Sequence, residues 1–125
     1  MTYRERCYCW RNNGVTCYVC KKREQAKMKE HDIRKALDAR VKSYGGETRA
    51  AAWLGRKHCP DVFVMFPHAS DATPSFLWGQ HWWVETKKPG KDATEGQARE
   101  HERMRVAGCK VLVITTIEEL NRWLP

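Results

Sequence analysis

Cys59-Pro60-Asp61-Val62-Phe63-Val64-Met65-Phe66 and, after a loop, His81-Trp82-Trp83-Val84-Glu85-Thr86-Lys87 are the two stretches whose reading decides the fold. The first is a continuous run of apolar and β-favouring residues opened by a carboxylate, the pattern of a strand buried on both faces. Pro67 stops it, and residues 67–80, with His68-Ala69-Ser70-Asp71-Ala72-Thr73-Pro74, read as the return loop. The second alternates with period two, placing Trp83, Glu85 and Lys87 on one face and Trp82, Val84 and Thr86 on the other. Adjacent strands joined by one loop are expected to pair antiparallel. That pairing brings Asp61, at the start of one strand, beside Glu85, near the end of the next.

Working outward, residues 22–44 lack Gly and Pro, and Ile33, Leu37, Val41 and Tyr44 recur at helical spacing beside Ala36, so a helix is expected there with Gly45-Gly46 as its stop. Projected backwards, Glu30 falls on the same inward stripe, an expensive place for a carboxylate unless something pairs with it. Residues 47–54 suggest a short strand and residues 55–60 a turn. After Pro89-Gly90, Thr94 and Gln97 form a capping box that starts a helix running to about Ala107, with Gly108 as its stop. Lys110 to Thr115 is a last buried strand. Thr116 and Glu119 repeat the capping pattern ahead of a short helix that can bury Leu120, Trp123 and Leu124. The order is α/β, with a mixed sheet flanked by helices.

A chain of 125 residues suits one domain with a small appendage. We divide it into a cysteine-rich knuckle, residues 1–21, and a main domain, residues 22–125. No apolar run approaches the roughly 20 residues of a membrane-spanning helix, and residues 1–10 lack the apolar core of a signal peptide. The expectation is a cytoplasmic protein without membrane association. The net charge is +8, and residues 1–29, with eight Lys or Arg and two Glu, carry +6 of it. A basic segment beside a nearly balanced domain suits a polyanion, because Lys and Arg displace counterions from phosphates; a solvated tail has the same composition.

Cys7, Cys9, Cys17 and Cys20 are spaced so that their thiolates can close a tetrahedral Zn²⁺ shell in a segment too short for a core, with Asn12-Asn13-Gly14 as the reversal between the pairs. Four free thiols are the alternative. Tyr8, Trp10 and Tyr18 interleave with Arg11, Lys21, Lys22 and Arg23, a pattern suited to nucleic-acid contact or to packing on the main domain. Cys59 and Cys109 read as small buried hydrophobes. Among Trp78, Trp82 and Trp83, at least two are expected in core or interface packing and one is open to stacking on an unpaired base.

The chemistry-bearing set is Asp61, Glu85 and Lys87, with Glu30 from the first helix. Two hard oxygen ligands at a sheet edge make a site for Mg²⁺ or Mn²⁺, with the Thr86 backbone carbonyl as a further ligand and Glu30 completing the shell, if need be through water. The ion would polarise a scissile phosphate, and Lys87 would place the attacking water or stabilise the charge that develops. Taken singly, an Asp after Pro or an acid two residues before Lys is usually a solvated face; their joint order on helix, strand and strand is what points to catalysis.

The stretch from Glu30 to about Leu120 resembles the VRR-NUC family, the virus-type replication and repair nucleases of the PD-(D/E)xK superfamily. The resemblance rests on Glu30, Arg49, Gly55-Arg56, Pro60-Asp61, Glu85-Thr86-Lys87-Lys88-Pro89-Gly90, Gln97 and Gly108-Cys109-Lys110-Val111. It implies a restriction-endonuclease-like core of order αβββαβ and divalent-metal nuclease chemistry on Glu30, Asp61, Glu85 and Lys87. It also implies that Gln97 is oriented toward the site, and it adds Arg49, Arg56 and Lys88 to the candidate DNA contacts. Small stand-alone members look like homodimers that cut branched DNA, including four-way junctions. Cys59 and the cysteine-rich N-terminus depart from the family pattern, which leaves substrate choice open. The competing expectation is a non-catalytic, zinc-dependent nucleic-acid-binding module on a nuclease-like fold.

Overall fold

The computed structural model describes residues 28–125, so the cysteine cluster and the basic residues Arg11, Lys21, Lys22 and Arg23 lie outside the described residues. Helix α1 (Glu30–Ser43) is followed by strands β1 (Glu47–Ala50), β2 (Val62–Met65) and β3 (His81–Thr86), helix α2 (Glu95–Val106), strand β4 (Val111–Ile114) and helix α3 (Ile117–Trp123). The sheet order is β1-β2-β3-β4, with β1/β2 and β2/β3 antiparallel and β3/β4 parallel. This is the expected mixed αβββαβ core with a helix appended.

α1 is amphipathic, and its stripe of Ile33, Leu37 and Val41 is fully buried. Glu30 does not share that burial. It is the first residue of the helix and exposed, so its carboxylate lies where the stripe runs out rather than in the core. The expected start at residue 22 lies outside the described residues, among which the helix begins at Glu30, where the Lys29 amide donates to Asp32 Oδ2 at 3.0 Å and closes the first turn. At the other end the Gly45 and Gly46 amides return to the carbonyls of Lys42 and Val41. Gly45 has φ of 80°, and a Cβ there would lie 2.5 Å from Thr73 Oγ1. Glycine is therefore required both by conformation and by close approach.

The β2/β3 register pairs Val62 with Val84 and Phe63 with Trp83. One face of the sheet carries Val62, Val64, Val84 and Ile114, which join the α1 stripe, Phe66, Leu77 and Leu120 and Leu124 of the α3 end in one core. Arg40 binds α3 to α1 by donating to the Leu124 carbonyl and, at 2.8 Å, to Asn121 Oδ1. The other face is only partly covered. Phe63 and Met65 are half-buried, so β2 is not buried on both sides as its composition suggests. α2 covers this face over β4, burying Glu100, His101 and Met104. β1 ends at Ala50 instead of Leu54 because Trp53 turns back, donating its Nε1 to the Pro60 carbonyl at 2.8 Å and packing on Trp83 with ring centroids 4.8 Å apart.

Of the two expected capping boxes, the first forms in full and the second only in its Thr116 half. Thr94 Oγ1 accepts from the Gln97 amide at 3.2 Å, and the Thr94 amide donates to Gln97 Oε1 at 3.0 Å. Thr116 Oγ1 accepts from the Glu119 amide, while the Glu119 carboxylate takes Thr115 instead. Leu37→Ala, which opens a cavity in the core, is expected to destabilise the fold by about 2–5 kcal/mol. Leu54→Ala, at a side chain 98% exposed, should change stability by less than about 0.5 kcal/mol. Urea denaturation of the two variants checks this, and equal effects would misplace the core.

Candidate active site

Continuing the β2/β3 register one step beyond Val62 and Val84 sets Asp61 opposite Glu85. Partners in an antiparallel pair share a face, here the face under α2 rather than the hydrophobic core. Asp61 immediately precedes β2, and its carbonyl still accepts from the Ala51 amide at 2.8 Å, so its backbone is held by β1. Glu85 is 5% exposed. Lys87 follows on the same face with its ammonium 3.6 Å from Glu85 Oε1. Its amide donates to the Ile114 carbonyl, which fixes the backbone at the point where the lysine leaves the sheet.

Gln97 reaches the site from α2. Its Nε2 donates to Glu85 Oε1 at 3.2 Å while its Oε1 caps its own helix. One side chain thus ties the helix start to the carboxylate. Oε1 of Glu85 is thereby occupied by Gln97 and Lys87, whereas Glu85 Oε2 and Asp61 Oδ1 are both buried without a hydrogen-bond partner. Burial, and then the neighbouring charge of Asp61, push the Glu85 carboxyl up to about 7, with Lys87 opposing the rise and Glu30 adding to it. Glu30 therefore lies within electrostatic reach although it is exposed.

Two orphaned carboxylate oxygens on residues set opposite each other by the register fit a hard divalent cation, which would satisfy both and offset their repulsion. Among the described residues no group of three His, Cys, Asp or Glu side chains gathers to hold a metal. Any shell on Asp61 and Glu85 is completed by backbone, water or substrate oxygens. The Thr86 side chain lies on the opposite face, so that residue can contribute only its backbone carbonyl.

The other expected residues spread around this centre. Arg49 shares the face by register, opposite Phe63, and pairs with Glu47 at 2.8 Å. Lys88 is exposed just beyond Lys87. Arg56 forms a two-pronged contact with Glu100, Nε to Oε1 and Nη2 to Oε2, both 2.8 Å. Arg103 adds a 3.1 Å bond, and these partners hold the Glu100 carboxyl down to about 2. Glu100 escaped the sequence reading because its partner lies 44 positions away. His101 escaped it as well; it is buried, its Nε2 lacks a partner, and burial lowers its pKa. Cys59 and Cys109 are half-buried, as small apolar side chains would be. Trp82 packs edge-on against Trp123 beside the core, and Trp83 lies between Trp53 and Phe63. Trp78 is more exposed and donates Nε1 to the Thr73 carbonyl.

The Glu85 environment has a consequence for stability. Its carboxyl binds a proton more tightly in the folded chain than in the unfolded one, so its contribution is most favourable at low pH and is lost as pH rises through about 7. In EDTA, the melting temperature of the native protein should fall relative to that of Glu85→Gln between pH 5 and pH 8. Parallel pH profiles would show that Glu85 is not confined as described.

No family model matches the chain. "Putative nuclease p44" of Acyrthosiphon pisum secondary endosymbiont phage 1 is 32% identical to it over 98 residues, spanning 78% of this chain and 94% of that protein. A solved VRR_NUC domain superposes with a TM-score of 0.64 at 30% identity, covering 76% of this chain and 92% of that domain. With the αβββαβ core and most of both relatives' lengths matched, the chain belongs to the VRR-NUC family of nucleases.

Proposed function

We propose that the protein is a Mg²⁺- or Mn²⁺-dependent endodeoxyribonuclease selective for branched DNA, such as four-way junctions or flaps, and that it works as a homodimer. The observation that carries the catalytic part is the pair of buried, partnerless oxygens on Asp61 and Glu85. A bound divalent cation would supply Lewis-acid polarisation of the scissile phosphate and a water of lowered pKa. Asp61 and Glu85 hold the position for it from two hydrogen-bonded strands, so their spacing is set by the sheet. Lys87, 3.6 Å from Glu85 Oε1, keeps its ammonium at the rim of the carboxylate pair, where it can position the attacking water or meet negative charge developing on the phosphate. Gln97 orients Glu85 by occupying Oε1, leaving Oε2 free for the cation. Glu30, at the exposed start of α1, acts on Glu85 electrostatically and is the further acid that would complete this centre through water. Selectivity for branched DNA and dimerisation are supported by resemblance to small stand-alone family members and by the small surface one domain offers to two duplexes.

Asp61→Ala should lower cleavage of a labelled junction to the level seen with EDTA, and Lys87→Ala should reduce it on the order of 10²–10³-fold. The native protein, with Mg²⁺ or Mn²⁺, should cut junction or flap faster than linear duplex and should scatter light as a dimer at micromolar concentration. Binding without cleavage in either metal would instead favour the zinc-dependent binding module, and a monomer with and without DNA would exclude the dimer.

Gln97 offers a separate check on how Glu85 is oriented. Gln97→Ala should cost about 10–100-fold in activity, the usual cost of losing a residue that orients a metal ligand. Gln97→Glu keeps the capping box but sets a carboxylate against Glu85. It should retain the melting temperature of the native protein at low pH and still lose activity; full activity in Gln97→Glu would remove the orienting role.

A further inference from the structure

Beside the candidate active site, between the 55–58 loop and the first turns of α2, lies a cleft of about 350 Å³ lined by polar and charged groups. Its single carboxylate, Glu100, is buried and engaged by two guanidiniums at once, Arg56 through both oxygens and Arg103 through Oε2. The Arg56 and Arg103 side chains nevertheless remain 52% and 63% exposed. Glu100 thus works as a fork that fixes two cations at the wall of the cleft while their remaining N–H donors face outward. Lys57 and Arg99 complete the lining, and among the described residues neither has an acidic partner. Four permanent cations around one acid leave the cleft at +3.

The backbone of the cleft is also unusual. His58 has φ of 68°, the left-handed region that a non-glycine residue enters at a cost and that clusters at functional sites. Its ring lies flat on the α2 backbone, so that a Cβ on Gly96 would come within 2.9 Å of Cδ2 and Nε2. This packing holds the loop against the helix, with Lys57 and Arg99 in the lining of one cleft. The cleft adjoins the catalytic pair on both sides: Gly96 is followed by Gln97, which binds Glu85, and His58 lies three positions before Asp61.

We propose that this cleft, centred on Lys57, Arg99 and Arg103, is a subsite for a backbone phosphate of the DNA, next to the phosphate that is cut. Planar guanidiniums held in fixed orientation match the oxygens of a phosphodiester, and the ion pairing beneath them lowers the entropy lost on binding. The inference rests on the nuclease reading for its substrate but concerns binding, so its test does not require cleavage.

The test measures anisotropy of a fluorescent DNA duplex with the full chain in EDTA across a range of NaCl concentrations. Arg99→Gln and Lys57→Gln, which leave the Glu100 fork and the catalytic pair intact, are compared with Arg122→Gln on α3. The slope of log K against log salt should fall by about 0.9 for each variant that removes a phosphate contact. Arg122→Gln should leave the slope of the native protein unchanged. Equal slopes for all four proteins, or the same drop in Arg122→Gln, would overturn the subsite. A second arm titrates inorganic phosphate by calorimetry; if Arg99→Gln abolishes phosphate binding yet leaves the DNA slope unchanged, the cleft serves a free anion and the proposal fails. Native protein that shows the expected slopes but never cuts DNA with Mg²⁺ or Mn²⁺ would sink the nuclease reading and leave the subsite standing.

Discussion

The antiparallel pairing of β2 with β3 is the constraint on which the rest depends. It sets Asp61 against Glu85, two carboxylates that repel each other in a partly desolvated place, and the fold holds them there with backbone hydrogen bonds that neither side chain can escape. A one-residue slip would move every β3 side chain to the other face, putting Glu85 into the core and Thr86 under α2. Such a slip is blocked by the full burial of Val62, Val64 and Val84 on the opposite side. The hydrophobic core thus specifies the candidate active centre by specifying its register.

The second helix converts this strained pair into a shaped site. The start of α2 requires a cap, and the residue that completes the capping box, Gln97, also orients Glu85. One turn further on, Glu100 collects Arg56 and Arg103, so the helix presents a hydrogen-bond donor to the Asp61–Glu85 pair and cations to the adjoining cleft. Trp53, Trp83 and Phe63 form a contiguous aromatic floor on the half of the face that α2 leaves open. The cap, the ion pairs and the ring stack that close local structure thus lie on the same side of the sheet as the candidate site.

Much of this was legible in the sequence, for physical reasons that differ by element. Period two in residues 81–87 fixed which side chains accompany Glu85, and a single intervening loop made the antiparallel partner nearly unavoidable, so Asp61, Glu85 and Lys87 came together as expected. The Thr94–Gln97 spacing located the start of α2. Glu30 was misplaced because helical periodicity predicts a direction around the axis but not where the covering layer ends. The Lys29–Asp32 cap that starts the helix also lacks the usual Ser or Thr signal. β1 was drawn too long because the Trp53 turn depends on partners, Pro60 and Trp83, that sequence proximity does not reveal. The Arg56–Glu100 pair and the unpartnered His101 were invisible for the same reason: both arise from tertiary packing.

Compensation by a divalent cation is what would let Asp61 and Glu85 remain paired in their charged forms. The most direct measurement is the melting temperature of the protein at pH 7.5 as Mg²⁺ is titrated into EDTA-treated samples, beside Glu85→Gln. Ligand that binds the folded state at about 100 times its Kd stabilises by about 2.7 kcal/mol. A saturable rise is expected for the native protein, and a start from higher stability with little or no rise for Glu85→Gln. An equal rise in both proteins, or none in either, would contradict it.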